Sequence, residues 1–239
     1  MGHAFELPQE ALVDATPEEV WAAISTGPGI DSWFMGRTEV AGDAVRTAFG
    51  GMDLSSTVTA AEPGRRFVHS SETAEDGRFV AYEFLIEGRE RGSTTLRMVA
   101  SGFLPGDDWE TEFEAMAGGL AMFFATLVEY LTHFAGRTAT PVTEFGPPVS
   151  DWPRAWEILY GELGHPSAGD KVRFEPDGLA PVEGVVYFAG AQTLGVRSGD
   201  ALYRFMQGMG GSMVASHHLF GETGDQGPAW RAWLERLYA

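Results

Sequence analysis

Residues 107–134, DDWETEFEAMAGGLAMFFATLVEYLTHF, form the longest stretch of regular apolar periodicity in the chain. Large apolar residues recur there every three or four positions, which places them on one face of an α-helix. They are Trp109, Phe113, Met116, Leu120, Phe123, Leu127, Leu131 and Phe134. The pattern predicts one amphipathic helix, roughly 40 Å long at about 1.5 Å per residue. Its apolar face has to be covered by another layer of the fold.

The predicted helix has suitable residues at its start and a weak point at its centre. Asp107 or Asp108 can cap the first turn. Gly118 and Gly119 lower the helix propensity by about 1 kcal/mol each and would allow a bend or a close approach by another element. Three carboxylates suit the positive end of the helix dipole, so we do not interpret them as a catalytic cluster; they are Glu110, Glu112 and Glu114.

The chain before this helix begins with a short strand and two helices. Residues 5–13 alternate in an extended pattern that Pro8 confines to the edge of a sheet. Thr16 and Glu19 have the spacing of a capping box, with Pro17 at the first helical position. Residues 30–35 predict a second short helix.

Six short segments of alternating hydrophobicity follow, with Gly, Pro and Asp turns between them. They are Val40 and residues 45–49, 54–60, 67–71, 79–86 and 94–103. Because no helix separates these strands, they have to form an antiparallel sheet. The fold class is therefore α+β: a helix-grip, in which a curved antiparallel sheet wraps around a long C-terminal helix.

The predicted domain organisation is a helix-grip domain at residues 1–137, a linker at 138–149 and a smaller α+β domain at 150–239. The linker assignment depends on its lack of periodicity and on three prolines, Pro141, Pro147 and Pro148. The last part has the order helix, strands, helix. That order fits either a shortened second helix-grip repeat or an α+β extension packed on the first domain. Trp230 and Trp233 of its last helix are candidates for a dimer contact.

Composition excludes several classes of function. The chain has 239 residues, with 16 Lys and Arg against 34 Asp and Glu, a net charge of −18. Such an acidic protein is unsuited to nucleic acid or to an anionic membrane surface. It has no cysteine, which excludes disulfides and thiolate chemistry. No signal peptide and no run long enough to span a bilayer stand out, so we expect a cytoplasmic location.

Several short phrases, in order over about residues 5–136, resemble the helix-grip superfamily of START domains, pollen allergens and polyketide cyclases. They are residues 15–21 (ATPEEVW), 31–34 (DSWF), 62–67 (EPGRRF), 101–103 (SGF) and 127–131 (LVEYL). The branch they are most similar to is that of the activator of the heat-shock-protein-90 ATPase. That family usually has Gly-Trp in its final helix, where this chain has Gly118-Gly119-Leu120. The missing indole leaves more room beneath the sheet, or space for a different side chain.

A curved sheet around a helix either has a solid core or encloses an apolar pocket of about 300–1,000 Å³. We predict a ligand-binding pocket, entered near the short second helix, with His69 or Tyr82 orienting the ligand. The candidate ligand-binding residues are Trp33, Phe34, Phe49, Phe67, His69, Tyr82, Phe84, Met98, Met116, Leu120 and Phe123.

Catalytic and metal sites find little support in the sequence. His217 and His218 are adjacent in a predicted strand, so they point to opposite faces and cannot share one metal. A general-base role for His69 would need a partner within about 3 Å. The Gly208–Gly211 segment lacks the Lys and the helix of a phosphate loop, and a hairpin turn explains it. We therefore assign no catalytic residue, no metal and no cofactor.

Three functions remain for comparison. The first is a non-catalytic protein that binds an apolar small molecule between the sheet and the long helix. The second, implied by the family resemblance, is a module that interacts with a chaperone ATPase through its surface. The third, a cyclase- or hydrolase-like enzyme as in the superfamily's polyketide branch, would need a polar pair inside the cavity.

Overall fold

The computed structural model describes residues 2–89, 92–107, 109–208, 210–221 and 224–239. The chain divides into two compact units, residues 1–138 and 139–239.

The first unit is a seven-stranded antiparallel sheet with a long C-terminal helix. Its elements are β1 (His3–Val13), α1 (Pro17–Ser25), α2 (Gly27–Ile30), β2 (Arg37–Ala41), β3 (Ala44–Phe49), β4 (Met52–Glu62), β5 (Arg66–Ser71), β6 (Phe79–Gly88), β7 (Thr94–Leu104) and α3 (Trp109–His133). The strand order is β1-β7-β6-β5-β4-β3-β2, so β1 pairs with the last strand of a meander. The helix-grip prediction is confirmed.

The two short helices start at side-chain caps. Glu19 N–H donates to Thr16 Oγ1 at 3.2 Å, and Thr16 N–H donates to Glu19 Oε2 at 2.8 Å, which completes the capping box of α1. Thr26 caps α2, accepting from Gly29 N–H at 3.1 Å. Helix α2 therefore begins earlier than predicted, and residues 31–36 form turns instead of a helix.

Hydrogen bonds to α1 and to β2 hold the turns after α2 in place. The indole Nε1 of Trp33 donates to the carbonyl oxygen of Ala23 at 2.9 Å, and the Trp33 ring is buried. Asp31 Oδ1 accepts from Thr38 N–H at 2.6 Å, which joins the turns to β2. This segment is thereby hydrogen-bonded to α1 on one side and to β2 on the other.

The long helix begins at Trp109, and Asp108, one of its two predicted caps, lies outside the described residues. Its first turn is held by β1, because the rings of His3 and Trp109 stack at 3.9 Å. Farther along, Gln9 Nε2 donates to the carbonyl oxygen of Leu120 at 3.3 Å. From Leu120 onward half of the helix residues are buried, whereas every residue from Trp109 to Gly119 is exposed or partly exposed.

Within the described residues, α3 is the one helix long and apolar enough to cross a membrane. The expectation that no segment reaches that length was therefore wrong. The core helix of a soluble protein meets the same criterion, and α3 contacts β1, β7 and α1.

The second unit has a six-stranded antiparallel sheet and two helices. Its elements are β8 (Thr140–Pro148), α4 (Trp152–Glu162), β9 (Lys171–Phe174), β10 (Val182–Ala189), β11 (Thr193–Arg197), β12 (Ala201–Gln207), β13 (Ser212–Leu219) and α5 (Gly227–Tyr238). The order β8-β13-β12-β11-β10-β9 again pairs the first strand with the last strand of a meander. In its described elements, this unit repeats the connectivity of the first with one strand fewer, and it supports the interpretation of a second, shortened helix-grip.

Two predictions for this half of the chain were wrong. Most of the predicted linker, residues 138–149, is the edge strand β8, which pairs with β13 from Thr140 to Pro148. Prolines are tolerated in an edge strand because the outer side of that strand makes no inter-strand hydrogen bonds, so the missing N–H is not needed there. Trp230 and Trp233 are fully buried in the core of the second unit, so they are not available for a dimer contact.

Candidate functional site

A cavity of about 390 Å³ lies in the first unit between the sheet, the segment from α1 to β2, and α3. Its volume falls within the range of small-molecule sites. Eight predicted residues line it: Trp33, Phe34, His69, Tyr82, Phe84, Met98, Leu120 and Phe123. Met35, at the predicted entrance, lines it too.

Three predicted residues lie outside the cavity lining. Phe67 is on the same row of β5 as His69, but the Trp21 ring of α1 packs edge-on against it at 5.8 Å between centroids. Met116 lies in the less buried first half of α3. Phe49 lies at the end of β3, beside the hairpin turn.

Several lining residues were not predicted from the sequence. The apolar ones are Ile24, Ile30, Val45, Leu54, Ala74, Phe79 and Val80, and the polar or charged ones are Thr47, Asp53, Ser55, Ser56, Ser71, Glu72 and Arg78. Part of this set follows from alternation, because Thr47, Ser71 and Val80 share a strand face with predicted or buried neighbours. The contribution of Ile24 and Ile30 depends on how α1 and α2 close the end of the sheet.

The cavity has a buried end and an open end. Ile24, Ile30, Val45, Phe84 and Met98 are buried. At the other end, five lining residues are exposed: Asp53, Leu54, Ser55, Glu72 and Ala74. The open end is therefore formed by β4 and by the segment after β5.

The cation at the open end is already paired. Arg78 forms an ion pair with Glu112 in the first turn of α3, and its Nε lies 3.8 Å from an Asp76 carboxylate oxygen. Asp53 and Glu72 have no ion pair with any described residue. The open end therefore has a net negative charge.

The principal polar pair of the cavity is Ser56 and His69. Ser56 Oγ and His69 Nδ1 are 2.8 Å apart, across the β4–β5 pairing. His69 Nε2 has no hydrogen-bond partner within the described chain. Burial lowers the pKa of His69 to about 4, because a charged imidazolium would lose its hydration there. His69 is therefore neutral at pH 7.

Tyr82 lies beside His69 on β6. The two residues are directly paired across the strands, and their rings stack with centroids 5.2 Å apart. The Tyr82 hydroxyl makes no hydrogen bond within the described part of the chain. Burial raises the pKa of Tyr82 to about 12, so this group is also neutral.

The departure from the family's Gly-Trp coincides with the cavity. Leu120 lines it, and a Cβ added at Gly119 would meet no atom within 4 Å. The close approach suggested for Gly118 and Gly119 is absent, since both border open space among the described residues.

The chemistry of this arrangement is limited. The Ser56–His69 pair is the kind of polar pair that an enzyme would need, and no local sequence pattern predicts it. However, a His with a pKa near 4 is a weak base at neutral pH. Across the described residues, no group of three His, Asp or Glu side chains could hold a metal ion.

In the second unit, His217 and His218 are both fully buried in β13. His217 Nδ1 accepts from the backbone N–H of Arg204 at 3.1 Å, and its ring packs edge-on against Trp230 at 4.2 Å. Burial, with Arg204 nearby, lowers the pKa of His217 to about 3. These contacts give His217 a structural role. Gly208, Gly210 and Gly211 lie between β12 and β13, as predicted for a hairpin connection, and Met209 is outside the described residues.

Residues 14–132 match the model of the family described as activator of Hsp90 ATPase homolog 1-like protein. The first unit is a domain of this family. The match covers α1, α2, strands β2 to β7 and nearly all of α3, so the resemblance seen in the sequence is confirmed for this part of the chain. A search of the curated proteins returned no match.

Among solved structures, protein MLL2253 from Mesorhizobium loti is 24% identical, covering 53% of this chain and 96% of its own, with a TM-score of 0.46. The Aha1 dimer from Colwellia psychrerythraea is 21% identical over 53% of this chain and 96% of its own, with a TM-score of 0.43. The di-domain ARO/CYC BexL from the BE-7585A biosynthetic pathway is 14% identical, covering 90% of this chain and 84% of its own, with a TM-score of 0.49.

Proposed function

We propose that this chain is a soluble, cytoplasmic protein that binds an apolar small molecule in the cavity of its first unit, without catalysing a reaction on it. The observation that carries the proposal is a cavity of about 390 Å³ that is open at one end and buried at the other. Its buried wall is mostly apolar, as in small-molecule sites, and His69 and Tyr82 line it together with several smaller polar side chains.

The apolar wall supplies the affinity. Burial of roughly 250 Å² of ligand apolar surface would contribute about 6 kcal/mol at about 25 cal/mol per Å². The cost of immobilising the ligand reduces this figure, so a dissociation constant in the micromolar range is expected for an unoptimised probe. The aromatic rings of Trp33, Phe34 and Phe123 line the cavity, and Phe34 and Phe123 pack with centroids 4.7 Å apart. A flat ligand can stack on such rings, so flat ligands are favoured.

Binding without catalysis agrees with the electrostatics of the site. The base nearest the cavity, His69, has its pKa lowered to about 4. Its Nδ1 contacts Ser56, and no carboxylate of the described residues is hydrogen-bonded to Nε2, so the pair lacks the orienting group of a nucleophilic triad there.

The experiment is a titration with Nile red, a neutral apolar dye, followed by its fluorescence. The proposal expects saturable binding to one site in the wild-type protein. Leu120→Trp, which places an indole in the cavity, should weaken binding at least about tenfold. Ala115→Trp adds the same indole at an exposed position of α3 and should leave binding unchanged. Absence of saturable binding by the folded wild-type protein would refute the proposal.

A second candidate function is interaction with a chaperone ATPase, and the family match over residues 14–132 favours it. The net charge of −18 suits a basic partner surface. Stimulation of a purified Hsp90 ATPase that weakens as salt is raised would support this function. No binding and no stimulation at low salt would exclude it.

A further inference from the structure

The polar groups of the cavity define the kind of ligand it takes, provided that the proposed binding function holds. His69 Nε2 and the Tyr82 hydroxyl belong to paired, stacked residues on neighbouring strands. Neither atom has a hydrogen-bond partner within the described ranges of the chain. Burying such groups without partners costs free energy, so a ligand that pairs with them gains over one that does not.

The pair can both donate and accept. The Tyr82 hydroxyl does either. If Ser56 donates to His69 Nδ1, then Nε2 carries the proton and donates; if Nδ1 donates to Ser56, then Nε2 accepts. A ligand hydroxyl, which also donates and accepts, is satisfied by either tautomer.

Charge excludes anionic ligands. Both polar groups are neutral, so neither compensates a carboxylate in the buried part of the cavity. At the open end, Asp53 and Glu72 repel anions. Arg78, the one cationic side chain among the described lining residues, is paired with Glu112.

The cavity walls suit an aromatic body. Trp33 packs against Phe34 at 5.4 Å and edge-on against Phe84 at 6.3 Å, so rings line it on the turn side and on the sheet side. Met98 and Leu120 supply adaptable aliphatic surface between them.

We propose that the cavity binds a neutral aromatic or polycyclic compound whose single hydroxyl group points inward to Tyr82 and His69. Fatty acids and other anionic amphiphiles are poor ligands. The polar end of the ligand selects among molecules of equal shape, while the rings of the wall supply most of the affinity.

The test uses three probes with one ring system: naphthalene, 2-naphthol and 2-naphthoate. Their affinities for the full chain are measured by calorimetry at pH 7. The proposal expects 2-naphthol to bind several-fold to about tenfold more tightly than naphthalene, the effect of one or two hydrogen bonds. It expects 2-naphthoate to bind most weakly of the three. Added salt should raise the affinity for 2-naphthoate only slightly, because it screens the charges of Asp53 and Glu72 at the open end but not the buried part of the cavity.

Two variants test whether the ligand hydroxyl binds at Tyr82. Tyr82→Phe should remove most of the preference for 2-naphthol while leaving naphthalene affinity within about twofold. Tyr160→Phe, which removes a hydroxyl on α4 in the second unit, is the matched control and should change neither.

The outcomes separate the two proposals. Equal binding of naphthalene and 2-naphthol, unaffected by Tyr82→Phe, would overturn the hydroxyl assignment and leave the binding function standing. Preferred binding of 2-naphthoate would overturn the assignment of a neutral ligand. Failure of every probe, Nile red included, would overturn the binding function itself.

Discussion

Ser56 Oγ and His69 Nδ1 lie 2.8 Å apart on two adjacent strands, inside the cavity of the first unit. The contact occupies one nitrogen of the imidazole and leaves the other facing the cavity. Because burial keeps the ring neutral, the pair acts as a fixed hydrogen-bonding group beside Tyr82.

Acid should destabilise the protein through His69. Its pKa is lowered from 6.5 in the unfolded chain to about 4 in the folded protein, so the unfolded state binds the proton first. Its contribution is fully present above pH 6.5 and is lost as the pH falls towards 4, by at most about 3 kcal/mol. Urea unfolding between pH 7.5 and pH 4.5 measures the change.

The variant His69→Gln isolates this effect, because His217 in the second unit titrates in the same direction. We expect a shallower loss of stability with acid in the variant than in the wild type. Identical slopes in the two proteins would show that His69 is not buried as described.

Leu120→Trp should restore the indole that the family usually has in this helix and fill part of the cavity. Because empty volume is replaced by side chain, we expect the free energy of unfolding to change by less than about 1.5 kcal/mol. Thermal unfolding measures it, with Ala115→Trp as the control for an added indole. A loss above about 3 kcal/mol would mean that the space beside Leu120 is already filled.

Gly118→Ala should stabilise the protein by up to about 1 kcal/mol, because Ala has the higher helix propensity and its Cβ meets no atom within 4 Å. The control is Gly29→Ala in α2, where the Cβ would collide with the carbonyl oxygen of Ala22. In urea unfolding, the free energy of unfolding should rise in Gly118→Ala and fall in Gly29→Ala. Destabilisation by Gly118→Ala would indicate a close contact at this point of α3.

Trp230→Ala should cost about 3–5 kcal/mol, because the indole is fully buried in the core of the second unit, where it contacts His217 and Tyr203. Trp152→Ala is the matched control, since that ring is only partly buried against the same core. Unfolding monitored by circular dichroism compares them. Equal losses would contradict the arrangement of this core.

The sequence predicted the elements that local patterns determine. The α3 stripe, the capping box at Thr16 and Glu19, and the glycine-rich turns of the meander each depend on residues close together in the chain. Part of the cavity wall was predicted in the same way, because alternation along a strand places His69 and Tyr82 on strand faces that line the cavity.

Features that depend on distant partners were missed. The strand character of β8 comes from its pairing with β13, about 70 residues later, and its prolines hide it from local patterns. The Ser56–His69 contact depends on the register of β4 and β5, which shifts between Val58 and Ala60. Phe67 has the correct alternation but is covered by Trp21, a contact that no strand pattern contains.

The most direct test of the central claim is an amide chemical-shift titration of the full chain with 2-naphthol. The account predicts saturable shifts concentrated at the cavity residues Trp33, His69, Tyr82, Leu120 and Phe123, with a stoichiometry of one. Shifts confined to the surface, or no saturation in a protein shown to be folded, would contradict it.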